Sequence, residues 1–404
     1  ERYRKGEATL QVVNAAGSPV TNATLTIRQK SHAFLFGCNI LPLGQLGEWN
    51  AAYEEKFAKL FNLATTTFCL SEYRSEKGEY RFGANATNVW RRPPPDRVLA
   101  FCRKHGIAMK GQPLLADSWH PEWAKKMTPD DARALYREYF TRVAERYGKD
   151  VLMFDVVNEA FLCKGRNKRR GWNFPLYTED LGYVEWAFET AQSLFPPECR
   201  LTINEAATGD AYFRKIKALL DKGIRLDGIG FQVHYFSANA LQAHFDLKRH
   251  PAALRETYVK YGRLNRPLYI SEITIPTTLA SGAEGEALQA CAVENLYRLW
   301  FSVPAMAGIT YWNLCNGAAW KTEGRTLAGL LDPQMREKPA YQTLCRLIQR
   351  EWNTQAQTVS DAQGKASFRG FYGTYDVVAR IGDKTQAFEI KLGKDTPTHQ
   401  LKLK

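Results

Sequence analysis

No run of 18 or more apolar residues occurs anywhere in the 404-residue sequence, which excludes a hydrophobic membrane-spanning helix. The opening Glu1-Arg2-Tyr3-Arg4-Lys5 likewise has no apolar core of the kind a leader segment needs. CxxC pairs are missing. The eight cysteines, Cys38, Cys69, Cys102, Cys163, Cys199, Cys291, Cys315 and Cys345, are scattered, which removes zinc ribbons and thioredoxin-like redox motifs and leaves small buried apolar residues as the ordinary reading. No GxGxxG or GxxxxGK[ST] follows an early strand, so nucleotide binding has no anchor. Acidic residues are in deficit, 42 against 55 Lys and Arg, for a net charge of +13. Such a balance attracts polyanions, whether nucleic acid, membrane surface or acidic polysaccharide. Nucleic acid is set aside because no recognised motif is present and the aromatic residues are not interleaved with the basic ones.

What is present is enough apolar material, 45% of residues against 24% charged, to bury a large core. Both ends read as short alternating strands: Thr9–Val13 and Ala23–Ile27 at the start, Phe368–Tyr372, Tyr375–Ile381 and Gln386–Leu392 near the end. Two or three strands cannot close a core alone, so residues 1–31 and 353–404 are expected to pair into one accessory β-sandwich, split in sequence. Between them, over residues 32–352, apolar strands alternate with amphipathic stretches such as Pro129–Tyr147 and Gly285–Phe301. Eight strands are expected: Ala33–Ile40, Leu63–Leu70, Ala108–Leu115, Met153–Val157, Arg200–Ile203, Gly228–Val233, Leu268–Ile273 and Gly308–Trp312. Eight βα units predict an α/β fold, a (β/α)8 TIM barrel.

In such a barrel the chemistry gathers at the C-terminal ends of the strands. Strand four runs into Asn158-Glu159, strand five into Asn204-Glu205, strand six into Gln232-Val233-His234, strand seven into Ser271-Glu272 and strand eight into Trp312-Asn313. Two carboxylates facing each other across a barrel mouth are what retaining glycosidic hydrolysis requires, one protonated and one ionised, about 5 to 5.5 Å apart. A neutral Glu159 needs its pKa raised, which a nearby Glu272 and partial burial supply. Any lone Glu at a strand end is more simply a helix start. The pair, accompanied by Asn158 and His234, favours chemistry, with no metal or cofactor implied. Glu205 and Asp155 are expected to support the site.

These residues carry a resemblance to glycoside hydrolase family 10, best known for endo-β-1,4-xylanases. Asp155-Val156-Val157-Asn158-Glu159 resembles the acid/base motif and Ile270-Ser271-Glu272 the nucleophile motif, usually Thr-Glu at that point. Gly228-Ile229-Gly230-Phe231-Gln232-Val233-His234 is similar to a third signature. Thr310-Tyr311-Trp312-Asn313 with Trp320, Leu330-Leu331-Asp332 and Lys338-Pro339-Ala340-Tyr341 is similar to the eighth-strand region. The resemblance implies that Asn158 binds the sugar 2-hydroxyl, that Gln232 and His234 orient Glu272, and that Trp312 and Trp320 wall the sugar. It also implies a polysaccharide or oligosaccharide partner and a secreted, periplasmic or cell-surface location.

The glycone side departs from the family pattern. Where the family has Glu-Asn and then Lys, this chain has Thr67, Phe68 and Ser71, and where it has Lys-Gly-His and Trp-His, this chain has Lys110-Gly111-Gln112 and Ala116-Asp117. Gln112 and Asp117 are therefore candidate substrate contacts, and Ala116 and Asp117 predict a differently shaped glycone subsite. After Glu159, Lys164, Arg166, Lys168, Arg169 and Arg170 put five cations within seven residues. A charge run is usually a solvated face; here Lys164 and Arg166 could meet anionic substituents. The reading is an endo-acting retaining hydrolase of xylan or a substituted or acidic relative. A galactan or sulfated algal polysaccharide is an alternative substrate, and a non-catalytic carbohydrate-binding barrel an alternative role.

Overall fold

The computed structural model describes residues 2–161, 174–237, 239–241, 251–278 and 280–404. They fall into two compact units, one of Glu1–Leu35 with Gln342–Lys404 and one of Phe36–Tyr341. In chain order the strands begin with β1 (Lys5–Val13) and β2 (Thr24–His32). Then come β3 (Leu35–Asn39), β4 (Leu63–Thr67), β5 (Ala108–Gln112), β6 (Met153–Asn158), β7 (Arg200–Glu205), β8 (Gly228–His234), β9 (Leu268–Thr274) and β10 (Met306–Tyr311). The last are β11 (Gln355–Val359), β12 (Lys365–Phe371), β13 (Gly373–Ile381), β14 (Lys384–Leu392) and β15 (Thr398–Lys402).

In the first unit, period-two alternation sorts side chains between core and solvent. Ala8, Leu10 and Val12 of β1, Leu25 and Ile27 of β2, and Tyr375 and Val377 of β13 share one buried cluster. β1 pairs with β12 and β15, whereas β2 pairs with β11 and β13, with β14 beyond. Each N-terminal strand thus finds both its neighbours in the last fifty residues, the split sandwich expected from the two ends. β11 and β15 were not foreseen. Their sequences, Gln-Ala-Gln-Thr-Val and Thr-His-Gln-Leu-Lys, lack the apolar alternation that signals a strand.

The second unit closes β3 to β10 into a barrel in the order β10-β3-β4-β5-β6-β7-β8-β9. From β3 round to β10 each strand runs parallel to the next, as βα repetition dictates. Both faces of these strands are covered, so β6 and β9 are buried at every position, polar site residues included. The helix Pro129–Tyr147 starts where Thr128 Oγ1 accepts the N–H of Asp131 and Pro129 takes the first helical position. It buries Leu135, Tyr139 and Val143. Gly111 lets β5 pass close to β6: a Cβ there would lie 2.2 Å from the Phe154 ring. Two strands stop sooner than expected, β4 because Leu70 opens the short helix Leu70–Tyr73 and β5 because Pro113 has no N–H for a ladder. Cys38, Cys69, Cys102, Cys199 and Cys315 are buried free thiols. No helix among the described residues is long and apolar enough to cross a membrane.

The sandwich also carries a titrating group. His32 Nδ1 accepts the N–H of Phe34 at 2.9 Å, its Nε2 is sealed from water, and desolvation, then the charge of Arg4, push the imidazole down to about 3 from 6.5. Between those values the unfolded chain takes up a proton that the folded chain refuses, so stability falls as pH drops from 6.5 toward 3. The slope is at most about 1.4 kcal/mol per pH unit. His32→Asn keeps an acceptor for Phe34 and cannot titrate. Urea unfolding at pH 7.5 and pH 4.5 should show a larger loss in the unaltered chain than in His32→Asn, and equal losses would remove His32 from the acid limb.

Candidate active site

The C-terminal ends of the barrel strands open into a cavity of about 820 Å³. Glu159 comes just after β6, where its backbone turns into the left-handed region at φ 59° and its N–H is held by Asn204 O at 3.0 Å. A non-glycine residue there is strained, and such strain tends to collect at functional sites. The turn carries the carboxyl away from the β6 line and leaves it half-buried on the cavity wall. Glu272 sits within β9 and is 4% exposed.

Four donors hold Glu272. Its Oε1 accepts from Asn204 Nδ2 at 2.8 Å and Gln232 Nε2 at 3.0 Å, and also, at short range, from Gln112 Nε2. Its Oε2 meets His234 Nε2 at 3.1 Å. His234 Nδ1 lies 2.8 Å from Thr274 Oγ1. The neutral tautomer with its proton on Nε2 satisfies both contacts, accepting from the threonine and donating to the carboxylate. Oε1 is therefore crowded with hydrogens, and Oε2 keeps open acceptor capacity toward the cavity.

Gln232 ties the carboxylates together. Its Nε2 is 3.0 Å from Glu159 Oε1, 3.0 Å from Glu272 Oε1 and 3.1 Å from Asn158 Oδ1. One amide nitrogen has two hydrogens for these three acceptors. The two oxygens that face Gln232 can be no further apart than twice 3.0 Å, which is compatible with the short carboxyl separation of retaining hydrolysis. Asn158 Oδ1 also accepts from Asn204 Nδ2 at 2.8 Å. Among the described residues its own Nδ2 has no partner, and Asn158 lines the cavity.

Beneath this layer Lys110 Nζ and Asp155 Oδ2 form a buried ion pair at 2.7 Å. Burial pushes the Asp155 carboxyl up, while Lys110 and the Thr202 hydroxyl, 2.6 Å away, pull against it. Glu205 accepts the N–H groups of Phe161 and Ala206 at 2.6 and 2.8 Å. Both acids brace the backbone that carries Glu159 and its neighbours.

Of the residues singled out in the sequence, Glu159, Glu272, Asn158, Gln232, His234, Gln112, Trp312 and Trp320 come together on this one cavity. Asp117 does not. It is 3% exposed and, like Ala116, lies outside the cavity lining, which passes from Pro113 to Trp119. The glycone departure at Phe68 also moves. Thr67 lines the cavity, whereas Phe68 is fully buried against Tyr147 and Phe154 at ring distances of 5.2 and 5.0 Å. Ser71, in the helix Leu70–Tyr73, is outside the lining too. Lys164 and Arg166 lie outside the described residues, with the rest of the basic run.

The sequence alone assigns no role to several further site residues. Asn204 is legible in the sequence only as part of the fifth strand's end, and its partners appear only when β7 and β9 are both placed. Arg91, Arg92 and Trp119 come from aperiodic loops. Phe236, 53% exposed and stacked 5.0 Å from His234, is a large aromatic just past the β8 motif, a signal available in the sequence.

Comparison with known proteins follows the same lines. The sequence profile of Glycosyl hydrolase family 10 matches residues 36–347. The anti-sigma-I factor RsgI6 of Acetivibrio thermocellus is 25% identical over 391 residues, 94% of this chain and 46% of that protein. Endo-1,4-beta-xylanase A of Humicola insolens is 25% identical over 283 residues, 67% of this chain and 72% of the enzyme. The chain thus spans under half the length of the first of these relatives. Among solved structures, native xylanase 10B from Thermotoga maritima aligns with a TM-score of 0.64 at 20% identity, covering 79% of this chain and 96% of that one. At that identity the likeness is one of fold.

Proposed function

Because this chain belongs to glycosyl hydrolase family 10, we propose that it is a retaining, endo-acting β-glycanase that cleaves xylan or a substituted or acidic relative, with Glu159 as acid/base and Glu272 as nucleophile. The observation that carries the reading is the single Gln232 nitrogen 3.0 Å from a carboxyl oxygen of each glutamate. Carboxyl groups that close leave no room for a water between carboxylate and sugar, so the carboxylate itself attacks.

In the first step Glu272 Oε2, the less crowded oxygen, forms a bond to the anomeric carbon as the glycosidic bond breaks, and Glu159 gives its proton to the departing oxygen. In the second, Glu159 takes a proton from water, whose oxygen replaces Glu272 at the same carbon. Two inversions give net retention. Asn158 Nδ2 is placed to bind a sugar hydroxyl, and Trp312, Trp320 and Phe236 offer aromatic faces to the apolar side of pyranose rings. A secreted, periplasmic or cell-surface location is the one that suits a polymer substrate. The carbohydrate-binding alternative without turnover is disfavoured, since both carboxylates and the donors to Glu272 are in place.

Reducing-end release across a panel of xylan, glucuronoxylan, galactan and sulfated algal polysaccharide tests the substrate class; no release from any would reject the hydrolase reading. Glu272→Ala should lose turnover by orders of magnitude and regain part of it with azide, yielding an α-glycosyl azide. Turnover close to that of the unaltered chain would exclude Glu272 as nucleophile. Glu159→Ala should slow substrates with basic leaving groups by about 10²–10⁴-fold and activated aryl glycosides far less; equal losses would contradict the acid role. Asn204→Asp replaces the donor to Glu272 and Asn158 with an acceptor. It should lower kcat by about 10- to 100-fold with a smaller change in KM, whereas an altered KM alone would make Asn204 a binding residue.

A further inference from the structure

We propose that Arg91 and Arg92 form a carboxylate-binding subsite in the cavity wall, so that the glycan this chain accepts carries a uronic acid. The proposal rests on the sugar-cleft reading above and draws nothing from the basic run at residues 164–170.

The two arginines are only 2% and 5% exposed, yet both line the cavity. Placing adjacent like charges where water is scarce is costly. Burial lowers the Arg91 guanidinium, Glu323 opposes that shift and Arg92 adds to it. The loop is built to hold the pair. Arg91 adopts φ 60°, and Gln45 clamps the turn, accepting the Arg91 N–H at 2.7 Å and donating to Val89 O at 3.0 Å. Arg91 Nη1 donates to Asn313 Oδ1 at 2.8 Å and to Ala318 O, and Arg92 Nη1 donates to Arg91 O at 2.9 Å.

These bonds leave both guanidinium forks unsaturated. The nearest carboxylates are Glu323, 3.7 Å from Arg91 Nη2, and Glu72, 3.6 Å from Arg92 Nε. Both distances offset charge but are too long for hydrogen bonds. Among the described residues, Nε of each arginine is buried without a hydrogen-bond partner, and Nη2 of each donates no hydrogen bond. A planar carboxylate accepts from a guanidinium fork through two parallel hydrogen bonds, which favours it over a neutral hydroxyl. The Arg92 guanidinium lies 4.9 Å from the Trp119 ring centre and 5.8 Å from that of Trp320. Both indoles line the cavity, so a charged group and the apolar face of a pyranose would be met together.

The test compares glucuronic-acid-substituted xylo-oligosaccharides with the same material methyl-esterified, which removes the charge and keeps the sugar. Titration calorimetry on the full chain at low salt should give at least about tenfold tighter binding of the acid, with the ratio shrinking as salt is added. The ratio should fall to near one in Arg92→Gln and only partly in Arg92→Lys, which keeps the charge without the fork; the second variant serves if the first does not fold. Equal binding of acid and ester by the unaltered chain would overturn the proposal, as would a ratio that survives Arg92→Gln. A sulfated oligosaccharide bound as tightly as the uronate would overturn the assignment to carboxylate. Acid-selective binding without cleavage of any glycan would instead reject the hydrolase reading and leave the subsite standing.

Discussion

Glu272 Oε1 receives hydrogens from amides on three separate strands, Gln112 on β5, Asn204 on β7 and Gln232 on β8, and the rest of the site depends on that convergence. In the barrel order β5 and β9 are four strands apart, so Gln112 can reach Glu272 only if the sheet closes on itself. Closure is a condition of the chemistry. Because the amides occupy one oxygen, the other, held by His234 alone among the described residues, keeps acceptor capacity for the sugar. Because the Gln232 amide also reaches Glu159, the distance between the two carboxyls is set by the barrel rather than by a loop.

Burying this much polar material is tolerable only when its hydrogen bonds are made. Asn204 shows how tightly they are drawn: its amide donates to Glu272 and Asn158 while its carbonyl accepts from Ser271. The Lys110–Asp155 pair lies one layer deeper, where removal of either partner would strand a buried charge. On the cavity wall, among the described residues, Nη2 of Arg91 and of Arg92 makes no hydrogen bond. Donors left over at Asn158 and at the two arginines are available to a polar ligand.

The barrel was legible in the sequence because short, mainly apolar strands recur between amphipathic helices, and because several strand ends carry Glu, Gln, His and Asn. The polar strands β11 and β15 were not, since solvent-facing sequence carries no period that separates strand from loop. At the site, the sequence identified which strand end a residue occupies but not always which way its side chain turns. Phe68 and Asp117 stand at aligned positions of glycone contacts, yet one points into the helix layer side of the barrel and the other lies behind the wall. Arg91 and Arg92 were invisible for the opposite reason: their loop has no periodicity, and their placement follows from bonds to Asn313 and Ala318, more than two hundred residues away.

Double displacement requires that a carboxylate, and not a water, reaches the anomeric carbon first. Proton NMR of the sugar released from a β-linked oligosaccharide, recorded in the first minutes before mutarotation, reads this directly. The β-anomer should appear first and the α-anomer should grow in only as the two equilibrate. Initial release of the α-anomer would mean a single displacement by water, and would contradict the placement of Glu159 and Glu272 about one amide nitrogen.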